Sequence, residues 1–133
     1  MGAGYDTLIV DAGSRSDALS VSFEGGGADG ADGVFHWGED RLEFSGVDRL
    51  MAFGGSADDW IGGTSGGDFL VGGAGADTLF GAEGDDNVMG GLGADFLHGG
   101  EGSDWASYFS AASGVSIRLG YAHGTVQGGN ADS

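Results

Sequence analysis

Cut into nines, residues 54–107 read GGSADDWIG, GTSGGDFLV, GGAGADTLF, GAEGDDNVM, GGLGADFLH and GGEGSDWAS. Glycine opens every unit. Aspartate stands sixth in all six, as Asp59, Asp68, Asp77, Asp86, Asp95 and Asp104. The eighth place holds Ile61, Leu70, Leu79, Val88, Leu97 and Ala106. A period kept in phase over six units governs the fold ahead of any local propensity. A disordered Gly/Asp linker would have no reason to hold aspartate and apolar residues in step, so the tract is read as folded.

Nine residues divide into a short strand and a turn. A strand of three residues, x-U-x with U the large apolar residue, spans about 10 Å, and only its central side chain points inward. The other six residues reverse the chain. Two units then make one flattened turn of 18 residues, and successive turns stack about 4.8 Å apart by parallel pairing. The expected fold is all-β: a parallel β-roll, a two-sheet β-solenoid with a thin core of U residues.

The turn G-G-x-G-x-D accounts for its own composition. Tight reversal needs positive φ at some places, which glycine adopts without steric cost. Stacked loops can aim carbonyl oxygens into the space between them, and aspartate adds anionic oxygens. Calcium takes six to eight oxygen ligands, so it matches this donor set. A column of aspartates at one-turn spacing would repel itself without a cation, which argues against a metal-free solenoid. Folding and calcium binding are therefore expected to be one event.

The pattern G-G-x-G-x-D-x-U-x resembles the hemolysin-type calcium-binding repeats of the RTX family, exported by Gram-negative bacteria. The resemblance covers Gly54–Ser107, about two-fifths of the chain. It implies a secreted, extracellular bacterial protein that leaves by type I secretion. It also implies a ligand scheme in which one loop gives carbonyls two and four plus its Asp. The loop two units later gives carbonyls one and three plus its own Asp. On this sequence Gly55, Ala57 and Asp59 would face Gly72, Ala74 and Asp77. Thr64, Gly66 and Asp68 would face Gly81, Glu83 and Asp86. Gly73, Gly75 and Asp77 would face Gly90, Leu92 and Asp95. Ala82, Gly84 and Asp86 would face Gly99, Glu101 and Asp104. That makes four Ca2+ ions, with Asp77 and Asp86 each shared by two, and leaves open halves at Gly91–Asp95 and Gly100–Asp104. Asp48 is a candidate for a fifth, N-terminal site with Gly63, Ser65 and Asp68. Ala57, Thr64 and Ala82 depart from glycine, and any of them held at positive φ costs about 1–2 kcal/mol. Asp58 and Asp85, fifth in their units, are expected to face solvent and add only charge.

The remaining composition narrows the function. With 133 residues, four basic side chains and a formal charge of −17, the chain suits neither nucleic acid nor an anionic membrane surface. Four calcium ions would bring that charge to about −9. Cysteine is absent, so neither a disulfide nor a zinc–thiolate site is available. The 32 glycines come with no proline and no three-residue period, which excludes collagen. No apolar run is long enough to span a membrane, and MGAGYDTL has neither the basic nor the apolar part of a signal peptide.

Three regions follow: a β-rich N-terminal flank over 1–53, the repeat tract over 54–107, and a C-terminal strand and tail over 108–133, expected to fold as one unit. MGAGYDTLI reads as a worn repeat, with Asp6 sixth and Leu8 eighth, so the chain is expected to start inside a longer repeat region. Leu8 and Val10 alternate, as do Leu19, Val21 and Phe23. Val34–Trp37 and Arg41–Phe44 are two further candidate strands, and Glu24–Gly33, between Phe23 and the first of them, reads as a flexible acidic loop. Leu50 and Ala52 keep the inward phase, which makes this segment a first solenoid turn without a full calcium loop. Val115, Ile117 and Leu119 alternate as one more strand. DWASYFSAASGVSIRL and YDTLIVDAGSRSDALSVSFE share a layout of repeat end, small-residue loop and alternating strand, and are read as two copies of one interrupting element. More repeats are expected beyond the second copy.

The outward places are apolar: Trp60, Phe69, Val71, Phe80, Met89, Phe96 and Trp105. Either the flanks cover these faces, or they form a surface for a neighbouring domain, a protein partner or a sugar ring. His36, His98 and His123 are dispersed, and neither HExxH nor G-x-S-x-G occurs. No enzymatic activity is expected. The functions left open are a calcium-folded stabilising module, an adhesion or ligand-binding module using the aromatic face, and an accessory module of a secreted hydrolase or epimerase.

Overall fold

The computed structural model describes residues 4–27, 30–107, 116–118 and 125–127; for 24–27, 116–118 and 125–127 only the backbone is described. Among these residues there are thirteen strands. In chain order they are β1 (Thr7–Asp11), β2 (Leu19–Gly27), β3 (Gly30–Trp37), β4 (Asp40–Val47), β5 (Arg49–Phe53), β6 (Trp60–Gly62), β7 (Phe69–Ala74), β8 (Thr78–Glu83), β9 (Asn87–Leu92), β10 (Phe96–Glu101), β11 (Trp105–Ser107), β12 (Ser116–Arg118) and β13 (Thr125–Gln127). They form two sheets, ordered β1-β5-β7-β9-β11-β13 and β12-β10-β8-β6-β2-β3-β4.

The repeat sets the register. Met51 pairs with Phe69, Phe69 with Asn87, and Asn87 with Trp105; on the other sheet Trp60 pairs with Thr78 and Thr78 with Phe96. Every step is 18 residues and parallel, so the six units wind three turns of a β-roll. The U residues become two facing columns, Ala52, Leu70, Val88 and Ala106 against Val21, Ile61, Leu79 and Leu97, all fully or almost fully buried. Each large aliphatic in this single-file core is worth about 1.5–3 kcal/mol of burial. Strands β7 to β10 are six residues long rather than three, because pairing continues into the next glycines: Gly73 pairs with Gly91 and Gly100 with Ala82. The second glycine of these loops takes positive φ, as at Gly73 (+110°) and Gly91 (+104°), so the corner turns without breaking the ladder.

The N-terminal flank belongs to the same stack. β1 pairs parallel with β5, and β2 pairs parallel with β6, so a turn of chain precedes the one expected to be first. The worn repeat is misplaced by two residues. Val10, not Leu8, sits level with Ala52 and Leu70, while Leu8 pairs with Leu50. Inward alternation has a period of two, so it cannot tell a strand from the same strand slid by two. Gly2 of that worn repeat lies outside the described residues.

Within Glu24–Gly33 the described residues, 24–27 and 30–33, are strand rather than loop. β2 and β3 pair antiparallel from Leu19↔Trp37 to Gly27↔Gly30, with a bulge between Phe23 and Gly25. Glycines carry no alternation to read, but their backbone groups find partners across the hairpin. β4 adds antiparallel to β3. Phe35 is buried in the core cluster, with Phe23, Trp37 and Phe44 packed against it. Phe23 meets Phe44 edge-on at 5.1 Å, Phe35 meets Trp37 edge-on at 4.6 Å, and the Arg15 guanidinium lies over the Trp37 ring at 5.1 Å. The free edge at β4 carries exposed Asp40, Arg41 and Glu43, charges that discourage edge-to-edge pairing.

At the other end β12 pairs with β10 and β13 with β11, both parallel and now 20 residues on. The open loop halves are thus followed by a turn of this same chain. β12 covers the middle of the expected Val115–Leu119 strand; Val115 and Leu119 themselves lie outside the described residues.

All the described flank strands lie in the plane of the two sheets, and none lies over them. Trp60, Phe96 and Trp105 remain 41%, 36% and 39% exposed, so the covering account of the outer residues fails among the described residues. No helix of the described residues is long and apolar enough to cross a membrane.

Candidate metal centre

The six sixth-place aspartates line the two edges of the roll in two files, Asp59–Asp77–Asp95 and Asp68–Asp86–Asp104. All are buried, at 0–4% exposure. Each accepts the backbone N–H of the aspartate one turn earlier through Oδ1: Asp59 to Asp77 (2.8 Å), Asp77 to Asp95 (3.0 Å), Asp68 to Asp86 (2.7 Å) and Asp86 to Asp104 (3.1 Å). At the N-terminal end of each file a leucine takes the donor's place. The Leu19 N–H donates to Asp59 and the Leu50 N–H to Asp68, both at 2.7 Å.

The second carboxylate oxygen divides the files. Asp59 Oδ2 accepts the Gly55 N–H and Asp68 Oδ2 the Thr64 N–H, each within its own loop. Oδ2 of Asp77, Asp86 and Asp95 is buried with no hydrogen-bond partner. A buried anionic oxygen without a partner is costly unless a cation meets it. The same atom explains the opening glycine, since a Cβ on Gly72, Gly81, Gly90 or Gly99 would collide with Oδ2 of its own loop's aspartate.

Burial, opposed by a backbone hydrogen bond, pushes the Asp77 carboxyl up to about 7, and the carboxylates of Asp59, Asp95 and Asp58 push the same way. Asp86 is likewise pushed up to about 7, by burial and then by Asp68, Asp104 and Asp85. Asp59, Asp68 and Asp95 are raised above the usual carboxylate range, with burial the main cause.

The carbonyls converge from both sides of each gap. The carbonyls of second- and fourth-place residues press against the glycines one turn on: Gly55 on Gly73, Ala57 on Gly75, Gly66 on Gly84, Ala82 on Gly100 and Gly84 on Gly102. First-place carbonyls point back, Gly72 toward Gly54 and Gly81 toward Gly63. Third-place carbonyls also point back, for Leu92 O accepts the Gly75 N–H (2.9 Å) and Glu101 O the Gly84 N–H (2.8 Å). Pairs of loops 18 residues apart therefore bring these carbonyls together with the sixth-place carboxylates. No group of three His, Asp or Glu side chains converges among the described residues, as expected where backbone oxygens make up the donor set. Hard oxygen donors with two carboxylates per gap fit a calcium ion by their chemistry.

Three features were not foreseen. Loops 54–59 and 63–68 lack the positive φ that the four later loops adopt at places two and four, so Ala57 and Thr64 are unstrained while Ala82 carries φ +85°. Asp58 and Asp85 do not merely face solvent: they accept the N–H of Ala76 (2.7 Å) and Ser103 (2.9 Å), tying each loop to the next turn. Asp48 sits level with Gly66, two residues from the aspartate file, and its carboxylate accepts the Asp6 N–H (2.7 Å). It is therefore misplaced for the fifth site suggested for it. Ala57 and Thr64, non-glycines at glycine places in the first two units, were the sequence signals that this end of the tract differs.

The family model described as the RTX calcium-binding nonapeptide repeat (4 copies) matches residues 53–88, 62–97 and 80–106. No curated protein and no solved structure matches the chain. Residues 53–106 are thus a tract of RTX calcium-binding nonapeptide repeats, wound into a β-roll whose carboxylates are buried between stacked loops.

Proposed function

We propose that this chain is a calcium-switched folding module of a larger secreted bacterial protein, without catalytic activity of its own. The observation that carries the reading is the set of buried, unpartnered carboxylate oxygens on Asp77, Asp86 and Asp95. Calcium, when bound, supplies the charge and coordination positions that such oxygens lack. Four gaps would hold it: Gly55, Ala57 and Asp59 with Gly72, Ala74 and Asp77; Thr64, Gly66 and Asp68 with Gly81, Glu83 and Asp86; Gly73, Gly75 and Asp77 with Gly90, Leu92 and Asp95; Ala82, Gly84 and Asp86 with Gly99, Glu101 and Asp104.

At neutral pH the aspartate files oppose folding in the absence of cations, so the chain stays extended where free calcium is scarce. Where calcium is plentiful, mass action on the folded state closes the loops on one another. A type I exported chain would thus be threadable inside the cell and folded outside it.

The test is a calcium titration followed by circular dichroism, with bound ions counted by calorimetry. The expected result is a disordered spectrum in excess chelator, a β spectrum in millimolar calcium, and four ions per chain. Asp77→Ala and Asp86→Ala should each weaken binding more than Asp59→Ala, because each serves two gaps. A full β spectrum in chelator would sink the switch, and equal damage from Asp59→Ala would sink the sharing scheme.

The exposed aromatic face supports a second reading, a docking surface for a neighbouring domain or partner. Trp60, Phe80 and Phe96 run across three strands at centroid spacings of 5.6 and 5.8 Å, but their planes are tilted by 46° and 54°. A flat platform for sugar rings needs near-coplanar rings, so apolar protein surface suits this row better than glycan.

A further inference from the structure

We infer that Thr64 closes the calcium ladder at its N-terminal end, its hydroxyl standing where the next cation of the file would otherwise lie. The inference rests on the ligand scheme proposed above. The gap between loop 63–68 and the turn of chain before it has the beginnings of a site. The Asp48 carbonyl presses on Gly66 as the Gly66 carbonyl presses on Gly84, and the Leu50 N–H donates to Asp68 Oδ1 as the Asp68 N–H does to Asp86. Two things differ. Leu50, fully buried, occupies the place of the preceding aspartate, so one carboxylate is missing. In the gap itself lies Thr64, 3% exposed. Its hydroxyl donates within reach of the Asp48 carbonyl (3.0 Å) and Asp68 Oδ1 (2.9 Å), and accepts the Gly66 N–H (3.0 Å).

The bookkeeping of partners agrees. Both oxygens of Asp68 are hydrogen-bonded, as are both of Asp59 at the head of the other file, whereas Asp77, Asp86 and Asp95 each keep one buried oxygen without a partner; among the described residues only Asp68 has a side-chain hydroxyl as a further partner. A cation draws oxygens from two loops to one point; here a single hydroxyl, which both donates and accepts, bridges the same two segments with no added charge. The first loop of this edge is therefore one-sided, able to face calcium only toward its C-terminal neighbour.

Two variants separate the hydroxyl from the methyl group of Thr64. Thr64→Val keeps the volume and loses the hydroxyl; Thr64→Ser does the reverse. In calcium titrations of the whole chain, Thr64→Val should raise the half-saturating concentration about 1.8-fold, a tenfold loss in the folding constant from one buried hydrogen-bonding group being shared over the four ions that bind with folding. Thr64→Ser, which keeps the hydroxyl, should leave the half-saturating concentration at the parent's value. Any other ranking overturns the role of the hydroxyl. The double variant Leu50→Asp, Thr64→Gly restores the repeat pattern and should bind one additional ion; a calcium-folded double variant with the parent's count overturns the position assigned to Thr64. If the double variant fails to fold, the valine–serine ranking still decides. A parent chain that takes up no calcium would instead sink the calcium-switch reading itself.

Discussion

Ala82 holds φ +85°, a conformation that glycine adopts freely and alanine does not. Its counterparts Gly73, Gly91 and Gly100 take the same corner at +104° to +110°. Ala82→Gly should therefore stabilise the calcium-loaded fold by about 1 kcal/mol, the relief of strain being partly offset by a more flexible unfolded chain. Thermal unfolding in saturating calcium would show it as a rise of a few degrees, about 2–6 °C. The mirror change, Gly91→Ala, should be worse than neutral, because a Cβ there would also strike the Gly73 carbonyl oxygen. Sequence marked Ala57, Thr64 and Ala82 alike as departures from glycine. Only the backbone angles separate the one that is strained from the two that are not, since loop conformation depends on what stacks on each side.

At the scale of single elements, the loops are tied to one another by more than the sixth-place aspartates. Asp85 accepts the Ser103 N–H and Asp58 the Ala76 N–H, both at the exposed rim. Asp85→Ala should cost about 0.5–1.5 kcal/mol and leave the ion count alone, whereas Asp86→Ala should lose ions. Chemical unfolding beside calorimetry separates the two effects. The hairpin of β2, β3 and β4 makes a different contribution, because its aromatic cluster contains no calcium donor. Phe35→Ala should cost about 3–5 kcal/mol through the cavity it leaves. Measured across a range of calcium concentrations in which the fold persists, that loss should be nearly constant. A loss confined to low calcium would mean that the hairpin acts through the metal sites. The strands of this hairpin were legible where Val, Phe and Trp alternate. They were illegible over Glu24–Gly33, where glycine gives backbone pairing nothing to write itself in.

For the whole molecule, the aspartate files couple folding to both calcium and protons. Asp77 and Asp86 titrate near 7 in the metal-free fold and near the ordinary value of about 4 when unfolded. The metal-free fold thus holds more protons than the unfolded chain between about pH 4 and pH 7, and its stability falls as pH rises through that window. Below about pH 4 both states are protonated and the penalty vanishes. Calcium reverses the preference, because binding needs the ionised carboxylates. Circular dichroism in chelator should show more β-structure at pH 5 than at pH 8. The half-saturating calcium concentration should fall from pH 5.5 to pH 8, with protons released on binding near pH 6 in calorimetry run in two buffers. A calcium affinity flat across this range would contradict the burial of these carboxylates.

The sequence by itself determined the β-roll, its 18-residue turn, the two inward columns, Leu70 and Val88 facing Ile61, Leu79 and Leu97, and the pairing of loops across each gap. A strict repeat does this because each turn can only stack on its like, so one local pattern dictates the long-range register. The tertiary structure alone decided where the repeat stops mattering. It slid β1 by two residues, paired the glycines of β2 and β3, turned Asp58 and Asp85 into ties, and put Thr64 and Leu50 at the head of the aspartate file. Each of these depends on which backbone groups the adjoining turn leaves unpaired. That is set by neighbours far apart in the chain, and an individual nonapeptide carries no record of it.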